Sequence, residues 1–292
     1  MKKYLFTIIS VLVLHQYNFC QSNSEFNNNT NNDILAAWDI QLSANIPNAS
    51  GAEFDGLYFY VTEAFSSLIN KYDTFGSLIE SFSIPGVTGL GDLAFDGTYM
   101  YGGSGGMIIF QMDFNTHTLV SMIPSPVNVR HIAYDEINDG FWVGSWTGPL
   151  SLVSRTGILI ASYIIDASIA GTAYDNYNSG GPFLWIFDRG ATPPGPQLIR
   201  QFSLSTGTYT GISHDVLSDV GATQPDAVAS GLFSTSDFFP GTFSIGGVLI
   251  GSPSILFVYD VTNPVPVELT YFTAVINNNN ITLNVYDNNS SS

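Results

Sequence analysis

Apolar residues along this chain fall in short runs, and each run is cut by Gly, Asp, Asn or Thr. Met107-Ile108-Ile109-Phe110-Gln111-Met112-Asp113 and Ser254-Ile255-Leu256-Phe257-Val258-Tyr259-Asp260 are rich in β-branched and aromatic residues, which predicts strands. No long segment sustains the 3.6-residue period of an amphipathic helix. One two-strand unit recurs. Gly91-Asp92-Leu93-Ala94-Phe95 and Thr98-Tyr99-Met100-Tyr101-Gly102 flank an Asp96-Gly97 turn, and Gly51 to Tyr60 is a second copy around Asp55-Gly56. Arg130 to Asp135 with Gly140 to Val143 is a third, and Gly171 to Asp175 with Phe183 to Ile186 a fourth.

The aromatic of the aromatic-Asp pair stands at Phe54, Phe95, Tyr134 and Tyr174, in steps of 41, 39 and 40 residues. That period is the signature of a β-propeller blade. Each repeat reads as four strands. In the second they are Gly91–Phe95, Thr98–Gly102, Met107–Asp113 and Thr118–Ile123. The fifth repeat is the least regular. Ala227–Phe233, Thr242–Leu249 and Ser254–Asp260 give it three strands before the chain turns into a Pro-rich stretch. A spare strand, Ile34–Leu42, precedes the first repeat. The count predicts an all-β fold, a single β-propeller of five four-stranded blades over 34–262, closed by strand 34–42 pairing with the last blade. Such pairing removes an exposed sheet edge. Six blades remain the alternative if Gly207 to Phe243 holds a further short sheet.

The ends of the chain give an address. Lys2 and Lys3 followed by apolar Tyr4 to Leu14 form the basic and hydrophobic regions of a signal peptide over residues 1–20, too short to span a bilayer comfortably. Cleavage is expected between Cys20 and Gln21, with lipidation of Cys20 as the alternative. Cys20 is the single cysteine, so no intrachain disulfide and no Cys-based zinc site can form. Gln21 to Asp33 is an Asn- and Ser-rich leader expected to be flexible, and no later segment is apolar enough to span a membrane. With 45% hydrophobic residues and 11% charged, the chain has a large core available. A net charge of −17, with seven Lys and Arg, repels phosphate backbones and excludes nucleic acid as a partner. Solubility outside the cell accounts for the acidity, with a cation site as the competing account.

After Asn263-Pro264-Val265-Pro266, the run Val267-Glu268-Leu269-Thr270-Tyr271-Phe272-Thr273-Ala274 leads through Asn277–Asn280 to Ile281-Thr282-Leu283-Asn284-Val285. This resembles the small β-segment that precedes the sorting signal in substrates of the bacterial type IX secretion system. There the pattern runs Pro-Val-Glu-Leu-Thr-x-Phe-x-Ala, an Asn- or Gly-rich turn, and a Val/Ile-Thr-Leu strand. In that family a Trp-containing strand, a Thr-Glu-Asn stretch and the sorting domain follow. Here Val285-Tyr286 runs into Asp287–Ser292, so the resemblance implies a truncated segment over 263–292. The repeat body, with Phe-Asp-Gly-x-Tyr and the turn Ser83–Gly86, is similar to propeller modules of such secreted proteins. The resemblance implies a fold and a secreted or cell-surface address, and no activity.

Candidate chemistry is sparse. By repeat alignment Asp92 and His131 share one position near the inner end of the first strands, where Gly51 and Gly171 stand in blades one and four. Glu53 lies two residues on, level with Ala94, Ala133 and Ala173. With Arg130 and Asp226, the set Asp92, Arg130, His131 and Asp226 forms a candidate ligand site at a channel mouth; a hydrogen-bonding role in closing the channel is the competing account. No catalytic motif is complete. His214-Asp215 lacks a serine in a nucleophile elbow, and His117 sits in a turn where it is expected to be solvated. Asp135-Glu136-Ile137-Asn138-Asp139-Gly140 fails the EF-hand pattern and reads as a hairpin turn. No metal site and no cofactor is implied, with calcium at that loop left open. The aromatics Tyr58, Tyr60, Tyr99, Tyr101, Phe141, Trp142, Trp185 and Phe202 could form a sugar platform, but alternating strand residues of this kind pack between blades. The reading is a monomeric, secreted binding or scaffold module whose ligand is a glycan or a protein. The alternative is a glycan-active hydrolase or lyase with carboxylates in the funnel, and a structural spacer is a third.

Overall fold

A computed structural model of the chain describes residues 40–43, 48–190, 195–220, 226–236, 238, 241–262, 269–277 and 280–287. The signal peptide, the leader, Ile34 to Asp39 and the linker 263–268 lie outside the described residues. The first strand is β1 (Ile40–Ser43). Blade one is β2 (Ala49–Phe54), β3 (Phe59–Glu63), β4 (Ile69–Tyr72) and β5 (Leu78–Phe82). Blade two is β6 (Asp92–Phe95), β7 (Met100–Gly103), β8 (Ile108–Asp113) and β9 (Thr118–Pro124). Blade three is β10 (His131–Asp135), β11 (Gly140–Gly144), β12 (Pro149–Ser154) and β13 (Leu159–Ile164). Blade four is β14 (Ile169–Asp175), β15 (Phe183–Asp188), β16 (Leu198–Ser203) and β17 (Thr208–Asp215). A short helix, α1 (Val216–Val220), leads to blade five: β18 (Val228–Thr235), β19 (Ser244–Ile250) and β20 (Ile255–Asp260). A hairpin, β21 (Leu269–Asn277) and β22 (Asn280–Asp287), follows.

The five sheets are each four-stranded and antiparallel, and the fold is a five-bladed β-propeller. Four blades use consecutive strands. The fifth has the order β1-β20-β19-β18, so the N-terminal strand supplies its outer edge, with Ile40 opposite Val258 and Ser43 opposite Ile255. The region 207–243 holds β17, α1 and β18, with the strands belonging to blades four and five, and no further sheet forms there among the described residues.

The recurrent Asp explains why the repeat takes this shape. In blade one Asp55 accepts hydrogen bonds from the Leu57 and Tyr58 amides and from the Tyr60 hydroxyl at 2.9 Å. Asp96 repeats this with the Thr98 and Tyr99 amides and Tyr101. In blades three and four the second-strand aromatic is a tryptophan. Trp142 Nε1 donates to Asp135 at 2.9 Å, and Trp185 Nε1 donates to Asp175 at 3.0 Å. Each Asp therefore caps its own turn through backbone amides and fixes a large buried ring through its second oxygen. Gly56 and Gly97 follow at φ of 93° and 89°, a conformation that disfavours any side chain.

The residue two places before each Asp faces that aromatic across the first strand pair. Glu53 opposes Tyr60, Ala94 opposes Tyr101, Ala133 opposes Trp142 and Ala173 opposes Trp185. Blade five inverts the sizes: Phe233 opposes Gly246, and a Cβ at Gly246 would come within 2.1 Å of the Phe233 ring. In blades two to five the space is filled once, by one partner or the other, and blade one places both Glu53 and Tyr60 there. Ser234 and Thr235 stand where the other blades carry the aromatic-Asp pair, which hides the fifth repeat from a search for that pattern.

Removing residues 34–43 should leave the edge of β20 unpaired. We expect a lower unfolding midpoint and concentration-dependent aggregation, read by thermal melts and light scattering. A truncated chain as stable and as monodisperse as the parent would show that closure does not depend on this strand.

Candidate functional site

Two residues further back along the first strands, the equivalent positions are Gly51, Asp92, His131, Gly171 and Gly231. They form a ring near the axis. Asp92 is fully buried and reaches across to the other blades. Its Oδ2 accepts from the Ile132 and Thr172 amides at 3.3 and 3.2 Å, and its Oδ1 accepts from the Leu232 amide at 3.2 Å. One side chain of blade two thus ties blades three, four and five. Only glycine fits beside it. A Cβ at Gly51 would lie 2.8 Å from Asp92 Cα, and one at Gly231 would lie 2.7 Å from Asp92 Oδ1. The close approach of three backbones to one carboxylate is what the glycines permit.

His131 is also fully buried, with Nδ1 at 3.2 Å from Thr172 Oγ1. Burial, with Arg130 beside it, pushes its pKa down to about 3, so the ring is neutral at physiological pH. Burial drives Asp92 well above the ordinary carboxylate range, against the pull of its amide donors and of Arg130. Arg130 packs under the Gly91 backbone, and its Nη2 lies 3.4 Å from Ser50 Oγ. Of the four residues singled out from sequence, the fold brings Asp92, Arg130 and His131 together. Asp226 is exposed just before β18 and shares no hydrogen bond or ion pair with them.

The opposite, C-terminal ends of the first strands frame an open bowl of about 370 Å³. Phe54, Phe95, Tyr134, Tyr174 and Ser234, one from each blade, line it. Tyr177, 48% exposed and stacked on Phe243, and the exposed Glu136 stand at its rim. Glu53 is on its lining, 6% exposed, with Oε1 accepting from the Phe54 amide at 2.8 Å. Desolvation raises the Glu53 carboxyl well above the ordinary range; Asp92 and Asp55 push the same way, while the Phe54 and Phe95 amides oppose it. Asp55 and Asp96 also line the bowl, but their oxygens are engaged by the turn amides and tyrosines. Arg155 of blade three adds a bond to Asp96 at 2.9 Å, and with these donors the Asp96 carboxyl falls below its ordinary value despite burial.

Sequence reasoning noted Glu53 but did not assign it to a site, and it missed Tyr134, Tyr177 and Glu136 as rim residues. The available signal was positional: Glu53 is the one acid at a place held by alanine in blades two to four. The suggested aromatics Tyr60, Tyr101, Phe141, Trp142, Trp185 and Phe202 are buried between strands. His117 is not freely solvated; its ring stacks on Phe82 at 4.0 Å. His214 bonds Asp219 at 2.8 Å, and Asp219 also accepts from Tyr259. At the Asp135 loop, the Ile137 and Asn138 amides, Asn138 Nδ2 and Trp142 occupy the carboxylate, which makes the loop a hairpin turn. No group of three or more His, Cys, Asp or Glu among the described residues is placed to share a metal ion.

No protein-family model matches the chain. No curated protein matches it either. Among solved structures, it is similar to glutaminyl cyclase from Myxococcus xanthus, with a TM-score of 0.58 and 14% identity over 78% of this chain and 97% of that one. Hydrazine synthase from Kuenenia stuttgartiensis aligns with a TM-score of 0.42 and 9% identity over 77% of this chain and 60% of that one. The likeness to the cyclase is one of fold.

Two substitutions test this account. Asp92→Ala strips the acceptor from three buried amides, each worth about 1–3 kcal/mol when left unpaired. Urea unfolding should show a loss above about 3 kcal/mol, and a loss below about 1 kcal/mol would refute the clasp. Glu53 has a raised folded pKa, so its contribution is fully present below the unfolded value and is lost as pH rises through the folded one. Glu53→Gln should therefore melt higher than the parent at pH 7 and track it near pH 4. A variant that melts lower at pH 7 would place the ionised carboxylate in a stabilising role.

Proposed function

We propose that the protein is a secreted or cell-surface binding module that takes its ligand, a glycan or a protein side chain, in the bowl at the C-terminal ends of the first strands. The observation that carries this is the bowl itself: an open cavity of about 370 Å³ with partly exposed Phe95, Tyr134 and Tyr177 around a buried carboxyl. Aromatic faces with a few fixed polar groups suit polyhydroxylated ligands, whose apolar faces stack while hydroxyls meet carboxyl and amide groups. Between the glycan and protein readings, the ring faces and the acids Glu53 and Glu136 favour the glycan. The address rests on the Lys2–Leu14 pattern and on the segment resembling type IX secretion substrates. No helix among the described residues is long and apolar enough to cross a membrane. The ring is closed by the chain's own N-terminal strand, so closure needs no second copy, which supports a monomer.

An enzymatic reading has one specific observation behind it. Glu53 is raised and Asp96 lowered on one cavity, the separation that divides an acid from a base. One solved structure of similar fold is a glutaminyl cyclase. Against it, Asp96 spends its oxygens on Thr98, Tyr99, Tyr101 and Arg155. A base needs a free lone pair aimed at substrate.

A glycan array followed by titration calorimetry on the hit decides between these. Saturable binding that weakens about two- to tenfold in Tyr177→Ala is expected, since an aromatic contact of this kind is worth about 0.5–1.5 kcal/mol. No binding across the array, together with turnover of a Gln-initiated peptide lost in Glu53→Gln, would overturn the binding reading in favour of the enzyme.

A further inference from the structure

The described residues contain five of the seven Lys and Arg, because Lys2 and Lys3 precede them. Three are matched to carboxylates: Lys71 to Glu80 at 3.8 Å, Arg155 to Asp96 and Asp139, and Arg200 to Asp188 at 2.9 Å. Arg130 and Arg189 are not, although 24 acids are available in the chain. Instead both guanidinium groups lie against one ring, that of Trp146, with Cζ at 4.4 and 5.2 Å from its centroid.

These three residues come from separate places. Arg130 precedes β10, Trp146 follows β11, and Arg189 follows β15. Strand pairing brings them to the N-terminal ends of the first strands, the end away from the bowl. There Ile169 donates to the Trp146 carbonyl and Arg189 to the Ser168 carbonyl, both at 2.8 Å. All three side chains are partly buried. Arg130 Nη1 is shut away from solvent with no hydrogen-bond partner, and Nη2 has only Ser50 Oγ at 3.4 Å. The nearest carboxylates are engaged elsewhere. Asp92 turns its oxygens to three amides, and Asp188, adjacent to Arg189, holds Arg200 and the Ser168 and Gly190 amides. Burial lowers both arginines, and each is a like charge to the other, with Asp92 giving Arg130 partial relief.

Two partly desolvated cations against one ring, with no carboxylate of the described residues within ion-pair distance, are unfavourable in the empty protein. The aromatic face offsets part of that cost, since a cation over a tryptophan ring gains about 0.5–2 kcal/mol. An oxyanion bridging the two guanidinium groups would remove the repulsion and supply charge-assisted hydrogen bonds, for which planar guanidinium groups are well shaped. We propose that Arg130, Arg189 and Trp146 form a second ligand site, at the end of the propeller axis opposite the bowl, which binds an oxyanion group: a carboxylate or a sulfate carried by the ligand. The site is independent of the bowl, so either can fail without the other.

The test uses the full chain at fixed ionic strength near 0.15 M, where the Debye length of about 8 Å screens the acidic surface beyond the site. Sodium glucuronate and sodium sulfate serve as probes, with sodium chloride as the balancing salt, and binding is read by thermal shift and tryptophan fluorescence. Arg189→Gln is the main variant, because the Arg189 side chain makes no hydrogen bond that folding depends on. Arg130→Gln is the second. The parent should show a saturable rise in melting temperature with at least one probe, and Arg189→Gln should weaken that response tenfold or more. In the absence of probe, Arg189→Gln should melt at or above the parent. A response to glucuronate alone identifies a carboxylate site and a response to sulfate alone a sulfate site; both support the proposal. No saturable response to either probe, an equal response in Arg189→Gln, or a marked loss of stability in probe-free Arg189→Gln would overturn it.

Discussion

A carboxylate in the middle of a protein is tolerable only if its oxygens are saturated, and Asp92 meets that condition with backbone rather than with side chains. Its acceptors reach amides of blades three, four and five from a strand of blade two. The arrangement works only because Gly51, Gly171 and Gly231 carry no Cβ where the backbones crowd at that level. Without those glycines the first strands could not approach, and without the carboxylate three inward-facing amides would have no partner. The blades are thus coupled in two places. At the axis the coupling is this polar clasp, and at the rim of blade five it is the ladder between β1 and β20. The first resists opening of the centre, and the second prevents the ring from unrolling.

This clasp also decides where function can reside. The ring at the level of Asp92 is filled by its carboxylate and by the His131 imidazole, both fully buried. What remains is the two ends. Because the C-terminal residues of all five first strands share one cavity, those strands run the same way along the axis, and equivalent sequence positions become rings around it. The ring of Phe54, Phe95, Tyr134, Tyr174 and Ser234 makes an aromatic bowl with acids around it. At the other end are Arg130, Arg189 and Trp146. A chain of net charge −17 therefore presents two ends of contrasting chemistry on one axis.

The repeat was readable because its defining Asp acts through neighbours in sequence. It caps a turn two and three residues on and holds an aromatic in the next strand, so the pattern survives in one dimension. The closing strand was readable by counting, since the fifth blade lacked one strand and the N-terminus had one to spare. Alignment also placed Asp92 and His131 at one level with Gly51 and Gly171. What it could not give was depth. Whether Glu53 faces a neighbour or a cavity depends on how far the aromatic mouth opens, which no spacing encodes. The fifth repeat is missed for a related reason: Ser234 and Thr235 replace the aromatic-Asp pair, so the residue types that mark the repeat are gone while the strands remain. The Arg130–Trp146–Arg189 group has no local signature, because its third member comes from a different blade.

The same economy that makes the repeat stable narrows the chemistry available at the bowl. Asp55 and Asp96 stand on the cavity, and by composition they would be the natural partners of Glu53 in an acid–base pair. Each already accepts from two turn amides and a tyrosine hydroxyl, and Asp96 also binds Arg155. Freeing either oxygen for a substrate proton would unfasten a hairpin and leave a buried phenol without its acceptor, at about 1–3 kcal/mol for each group stranded. Glu53 and the exposed Glu136 are the acids of the bowl that the scaffold does not use in this way. Burial raises the Glu53 carboxyl well above the ordinary range, and such a carboxyl in its neutral form, facing aromatic rings, is suited to donate a hydrogen bond to a bound hydroxyl or carbonyl. Catalysis would need a second group to accept a proton in the same step, and the aspartates placed to do so are the ones that hold the blades in shape.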